Sequence, residues 1–196
     1  MEKLYKVLGK NGIPCNGGIG TWYLPKGKIP GKWMPNIKNI VPCKKGYHLC
    51  RGKDLIHWLN EEIYEVEYRG EELFENNKVV VGQVRLLKKV ETWTEKAARL
   101  FSVACAKRVL PIFEKEFPDD TRPSDAITAA EDFANRKITE DDLEVARDAA
   151  RSAARDAARS VARSAAGAAA WDAAWAAAWD TEREWQNKEL MRVLEI

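Results

Sequence analysis

The densest chemistry in the chain is Cys43-Lys44-Lys45-Gly46-Tyr47-His48-Leu49-Cys50, with His57 seven residues further on. Two thiols and two imidazoles are a zinc-type ligand set in principle. The spacing matches no common zinc pattern, and no second CxxC accompanies it. The same residues could supply a Cys–His nucleophile, Cys50 acting with His48 or His57. That chemistry needs a low-pKa thiol and a group that orients the imidazole. The plainer reading is a tight hairpin or turn, its buried cysteines serving as small apolar residues and His48 bonding to backbone. No GxSxG, HExxH, P-loop or GxGxxG fingerprint occurs. The expectation is a non-enzymatic protein with no catalytic residue, no metal and no cofactor.

The elements around this cluster are strongly basic. The net charge of +2 conceals an asymmetry: residues 1–53 hold eleven Lys or Arg and one acidic residue, Glu2. Residues 54–90 carry a net −3 and residues 91–196 a net −5. Such a block points to a polyanion or an acidic protein surface as partner. From Gly9 to Lys53 the chain is rich in Gly, Pro and Lys and is punctuated by Trp22, Tyr23, Trp33, Met34 and Tyr47. Long irregular segments of this kind are often functional. Lys26, Lys28, Lys32, Trp33, Lys44, Lys45 and Arg51 are the candidate partner-binding residues. Lysines neutralising phosphates and tryptophans stacking on bases would serve nucleic acid, and the excess of lysine over arginine argues against base-specific readout. An acidic protein would be met by the same side chains.

Two domains are expected in an α+β chain. Residues 1–90 read as a small α+β domain with an antiparallel sheet. Leu4–Leu8 is a strand, and Asp54 caps a short helix over Leu55–Asn60. Ile63–Tyr68 alternates as a half-buried strand, Glu71–Asn77 is a polar turn, and Lys78–Lys88 is a second strand. Its Val79-Val80-Val81 run predicts a central position, and Gly82 marks a bulge. Residues 91–196 read as a helical domain. Thr92 and Glu95 have capping-box spacing, and the helix they open runs to about Leu110, where Pro111 kinks or ends it. A second helix covers about Pro123 to Asn135. Thr139, with Asp142 at the third helical position, opens the next.

That third helix begins the alanine-rich run. Eighteen of the 33 residues from Ala146 to Ala178 are alanine, the residue with the best helix propensity. Arg147, Arg151, Arg155, Arg159 and Arg163 recur every fourth position, and Trp171, Trp175 and Trp179 resume the beat after Gly167. On a helix the arginines make a slanted stripe and the tryptophans a compact ridge. Glu144–Arg147, Asp148–Arg151 and Asp156–Arg159 are i,i+3 pairs worth about 0.2–0.5 kcal/mol each on a solvated face. One helix from Thr139 to Val193 would be about 82 Å long, too long for a compact domain of this size. A break near Ser164 to Ala168, giving an antiparallel hairpin of long helices, is therefore expected.

The most apolar window, Ala165 to Trp179, contains Asp172 and is shorter than the roughly 20 residues of a membrane span. No membrane partner is expected. The charged start MEKLYKVLGK lacks a signal-peptide core, and the four cysteines form no paired framework. A reducing, cytoplasmic setting follows.

Two stretches resemble known sequences. CAKRVLPIFEKEFPDDTRPSDAITAAEDFA from Cys105, then the Ala/Trp repeats, then EREWQNKELMRVL, resemble the Imm-5-like immunity protein domains over about residues 93–194. The N-terminal half is similar to uncharacterised phage and bacterial domains in GKWMP (Gly31–Pro35), CKKGYHLC, the Trp58-Leu59 pair, VEYRGE (Val66–Glu71) and VRLLKKVETW. The resemblance implies a mobile-element or conflict-system context and inhibition by binding. It carries no catalytic residue across. The leading expectation is a binding protein that neutralises a macromolecular target, as an anti-defence inhibitor such as an anti-CRISPR or as a toxin immunity protein. Its partner would be a protein, including one in a nucleoprotein complex. Direct nucleic-acid binding through the basic block is the second reading, and a Cys/His enzyme of unknown reaction the third.

Overall fold

The computed structural model describes residues 2–163 and 168–196, and the side chains outside 157–180. The chain is α+β, a four-stranded antiparallel sheet followed by helices. It divides into two units, residues 1–94 together with 187–196, and residues 95–186.

In the first unit, strand β1 (Leu4–Leu8) pairs with both β2 (Tyr47–Arg51) and β3 (Glu62–Phe74). Strand β4 (Val79–Lys89) pairs with β2 and β3 in turn, so the sheet closes as a barrel in the order β1-β2-β4-β3. Closure gives each strand a pairing partner on both sides. The core holds Leu4, Leu8, Trp22, Met34, Leu49, Tyr64, Val79, Val81, Val84 and Leu86. Val79, Val80 and Val81 are all fully buried, as a central strand requires. Successive side chains point to opposite faces, so Val79 and Val81 enter the core while Val80 lies beneath the loop at Ile40 and Gly46. The last turns of the C-terminal helix join this unit: Leu190 and Leu194 are fully buried, and Thr92 Oγ1 donates to the Leu194 carbonyl at 2.8 Å.

A stretch without strand pairing runs beside β4. Gly31, Met34 and Ile37 donate backbone N–H groups to the carbonyls of Leu86, Val84 and Gly82. Three residues of loop advance for every two of strand, the period of an extended three-fold helix rather than a β-ladder. Two glycines permit close backbone approach, Gly31 to the Tyr23–Leu24 segment and Gly82 of β4 to the loop. A Cβ on Gly31 would sit 2.0 Å from the Tyr23 carbonyl oxygen, and one on Gly82 2.8 Å from that of Ile37.

Several sequence-based boundaries are corrected. β3 does not turn at Glu71 but continues to Phe74. Gly70 and Glu71 together oppose Gly82 between the pairs Arg69↔Gln83 and Glu72↔Val81. The bulge thus belongs to β3, with Gly82 its partner rather than its site. The expected helix over Leu55–Asn60 is instead a 3-10 turn, Gly52–His57. Asp54 is buried inside it and pairs with Arg51 rather than capping.

In the second unit, α1 spans Glu95–Glu116, α2 Arg122–Ala134 and α3 Glu140–Arg163. Helix α4 spans Ala168–Leu194 and ends in the first unit. Thr92 is not the cap of α1, because that helix begins at Glu95 and Thr94 stands immediately before it; the Thr92 hydroxyl donates to the Leu194 carbonyl. Nor does Pro111 end that helix. Proline withholds one donor, and the turn beyond it is held by the Phe113–Phe117 ring contact at 4.9 Å and by Phe117 N–H bonding to the Phe113 carbonyl. The cap of α3 forms as expected: Asp142 N–H donates to Thr139 Oγ1, and Thr139 N–H donates to the Asp142 carboxylate. The pairs Glu144–Arg147 and Asp148–Arg151 form at 3.6 and 2.8 Å. Asp156 pairs with Arg122 at 3.1 Å. The Arg159 side chain, the tryptophan ridge and Ser164–Gly167 of the expected break lie outside the described residues and side chains. Among the described residues, no helix is long and apolar enough to cross a membrane.

Candidate functional site

The Cys/His cluster is built on β2 and the turn before it. Val41 and Lys45 close that turn through backbone hydrogen bonds. This places Cys43 in the left-handed region at φ 62°, where its N–H donates to His48 Nε2 at 2.9 Å. The accepting nitrogen must be unprotonated, so His48 is a neutral imidazole used as a turn clamp. Burial, and then the charges of Lys6 and Lys78, hold its pKa below the ordinary 6.5. Cys50 is 3% exposed and its thiol donates to the Tyr5 carbonyl at 3.6 Å. Burial pushes that thiol up to about 12, which removes it as a nucleophile at neutral pH. His57 is exposed at the end of the 3-10 turn. Among the described residues, no group of three or more His, Cys, Asp or Glu is placed to hold a metal ion. The arrangement is the tight turn with a backbone-bonded histidine.

The basic candidates fall in separate places. Lys26 and Lys28 lie on a turn closed by Lys26–Ile29 hydrogen bonds, and Lys44 and Lys45 on the turn before β2. All four are exposed, as is Lys32. Glu71, set free by the bulge in β3, accepts from the N–H groups of Asn39 and Ile40. These two bonds, assisted by Lys45 and Lys38, draw its pKa down. A carboxylate thereby anchors the loop that leads into the Lys44–Lys45 turn.

Trp33 and Arg51 are held differently. The Arg69 and Arg85 guanidinium carbons lie 4.1 and 4.7 Å from the Trp33 ring centroid. Arg51 pairs with Asp54 and donates to the carbonyls of Glu75 and Asn76, tying β2 to the β3–β4 turn. The same loops carry exposed apolar residues: Ile19 is 92% exposed, Ile29 70%, and Tyr23 and Val41 44% each.

Sequence reading missed a second group. A cavity of about 300 Å³ opens among Lys6, Cys15, Asn16, Gly17, Cys43, His48, Trp58 and Lys78. Lys6 donates to the His48 carbonyl at 3.1 Å and lies 4.9 Å from the Trp22 ring centroid. Lys78 donates to Cys43 Sγ at 2.8 Å. A lysine between Leu4 and Leu8 on an apolar strand was the available signal.

A family model described as "Imm-5 like putative immunity protein" matches residues 88–180. This region is an Imm-5-like domain. It begins at the end of β4 and takes in α1, α2, α3 and much of α4. The residues before the Imm-5-like domain, which hold the barrel, the basic loops and the cavity, have no family assignment. No curated protein and no solved structure matches the chain. The Imm-5-like domain has its own concavity, an apolar groove of about 730 Å³ among α1, α2 and α3, with Arg99 and Arg147 in its walls.

Proposed function

We propose that this protein neutralises a macromolecular target by binding it, in the manner of an immunity protein, through the loops that precede β2. The observation that carries this reading is the alternation on those loops. Exposed Ile19, Tyr23, Ile29 and Val41 are interleaved with exposed Lys26, Lys28, Lys32, Lys44 and Lys45. Apolar residues supply desolvation at an interface, and the lysines select an acidic partner and speed encounter. Trp33 and Arg51 act beneath this surface, by holding the loops to the barrel. The neutral His48 and buried Cys50 leave the cluster a structural role.

A protein partner is favoured over bare nucleic acid by the aromatics of the basic loops, of which only Tyr23 is exposed. Trp22 is buried, Trp33 faces two guanidinium groups, and Tyr47 packs edge-on against Trp22 at 5.7 Å. Stacking on bases needs open aromatic faces. An anti-defence inhibitor, anti-CRISPR activity included, and a toxin immunity protein share this mode and differ in the target.

The test is affinity capture with and without nuclease, comparing the native chain with a Lys44→Glu, Lys45→Glu variant. One stoichiometric protein retained after nuclease, and bound about tenfold or more weakly by the variant at unchanged melting temperature, is the expected result. Unchanged binding by the variant removes this surface. Recovery of nucleic acid alone, with steep salt dependence, would replace the proposal by the nucleic-acid reading.

A further inference from the structure

The cavity lined by β1, β2 and the loops before β2 has an unusual charge balance. Lys6, Lys78 and His48 line it, and no aspartate or glutamate does. By strand alternation Lys6 shares a face of β1 with Leu4 and Leu8, both members of the core. An ammonium at such a position is costly unless an opposite charge compensates it. Among the described residues, neither Lys6 nor Lys78 makes an ion pair. Lys6 has a carbonyl and the Trp22 face as neighbours, and Lys78 has a thiol. Both charges act on the same imidazole, His48. Two cations therefore converge on one partly open cavity that, among the described residues, supplies no carboxylate of its own.

We propose that this cavity binds a small anion, the phosphate or carboxylate group of a small molecule, between Lys6 and Lys78. The volume, about 300 Å³, is at the lower end of the range for small-molecule sites. Lys78 offers its ammonium from the start of β4 and Lys6 from β1. Charge-assisted hydrogen bonds to an oxyanion would replace the weak sulfur contact of Lys78 and give Lys6 the counter-charge it lacks. Trp58 and Leu49 provide apolar wall for the rest of the ligand. Cys43 and Gly18 of this site adjoin Lys44 and Ile19 of the partner-binding loops, but anion binding by Lys6 and Lys78 is read without a partner and so is tested apart from target capture.

The test is a titration of the full chain with inorganic phosphate and, separately, with citrate, at fixed pH and ionic strength, followed by melting temperature and calorimetry. At least one of the two should stabilise the native chain at millimolar concentration, and the tighter one identifies the group. Lys78→Gln should weaken that binding about tenfold. Lys6→Met, which keeps the aliphatic stem, should melt higher than the native chain without anion and lose its response to anion. If Lys6→Met fails to fold, Lys78→Gln alone decides the matter. Absence of any shift in the native chain overturns the proposal. So does an equal shift in Lys78→Gln, which would be the general salting effect of these ions.

Discussion

The barrel unit and the helical unit keep their backbones from water with different materials. The barrel is made of β-branched and aliphatic strands whose pairing partners are distant in sequence. Leu8, Ile63, Val79, Val80, Val81 and Val84 are all 0% exposed. The helical unit satisfies its backbone locally, and among the described residues it has fewer buried apolar side chains than the barrel unit. Leu143 and Ala153 are fully enclosed, Phe101, Val103 and Ala134 nearly so, while Val109, Ile112 and Val145 are exposed. Alanine loses little entropy in a helix but removes little apolar area from water. Among the described side chains, charge and cation–π contacts link α1, α2, α3 and α4. Lys107–Glu131 at 2.5 Å, Arg122–Asp156 at 3.1 Å, Arg99 over Phe133 and Arg108 over Trp185 are the pairs in question. A chain can thus hold a precisely paired barrel beside helices that depend mainly on propensity and caps.

The contrast breaks most readily in the barrel core. Leu8→Ala should cost about 3 kcal/mol, measured by urea denaturation, with the loss seen in the barrel unit. An equal loss of helical circular dichroism in the same transition would mean that the helices depend on the barrel core, and the contrast would fall. A smaller effect is expected at the α3 cap. Thr139→Ala removes the hydroxyl that accepts the Asp142 N–H and should cost about 1 kcal/mol, read as faster amide exchange in the first turn of α3. No change there would show that packing rather than capping holds the helix.

The smallest effect is a pH slope belonging to the barrel. The fold holds His48 below its ordinary 6.5, so as pH falls the unfolded chain takes up this proton first. His48's contribution is complete above about pH 6.5 and is lost as pH falls through the folded-state value. Native stability should decline in that window, and His48→Gln should flatten the decline. An unchanged slope in the variant would assign it to other groups.

The strands Leu4–Leu8 and Val79–Lys89 were legible because period-2 alternation and β-branched residues are local signals. The α3 start at Thr139 was legible because a cap is written in four consecutive residues. The ends of β3 and α1 were not. Glu71 looks like turn material, yet a bulge and the N–H groups of Asn39 and Ile40 make it part of a strand. Thr92 has capping-box spacing with Glu95, and a residue 102 positions away takes its hydroxyl. In the candidate sites, the lysine-rich loops stood out by composition. The Lys6–Lys78 convergence did not, since those residues are 72 apart in a sequence full of lysines.

The sequence alone determined the α+β division, the helical nature of the alanine run, the charge asymmetry and the absence of a familiar catalytic motif. These depend on composition and on interactions within a few residues. Tertiary structure decided that the four strands close into a barrel and that Cys50 is buried with its thiol bonded to the Tyr5 carbonyl. It also decided that two arginines lie over Trp33 and that two lysines meet at one cavity. Burial, pKa and charge convergence depend on which distant residues become neighbours, and a linear pattern does not encode that distance.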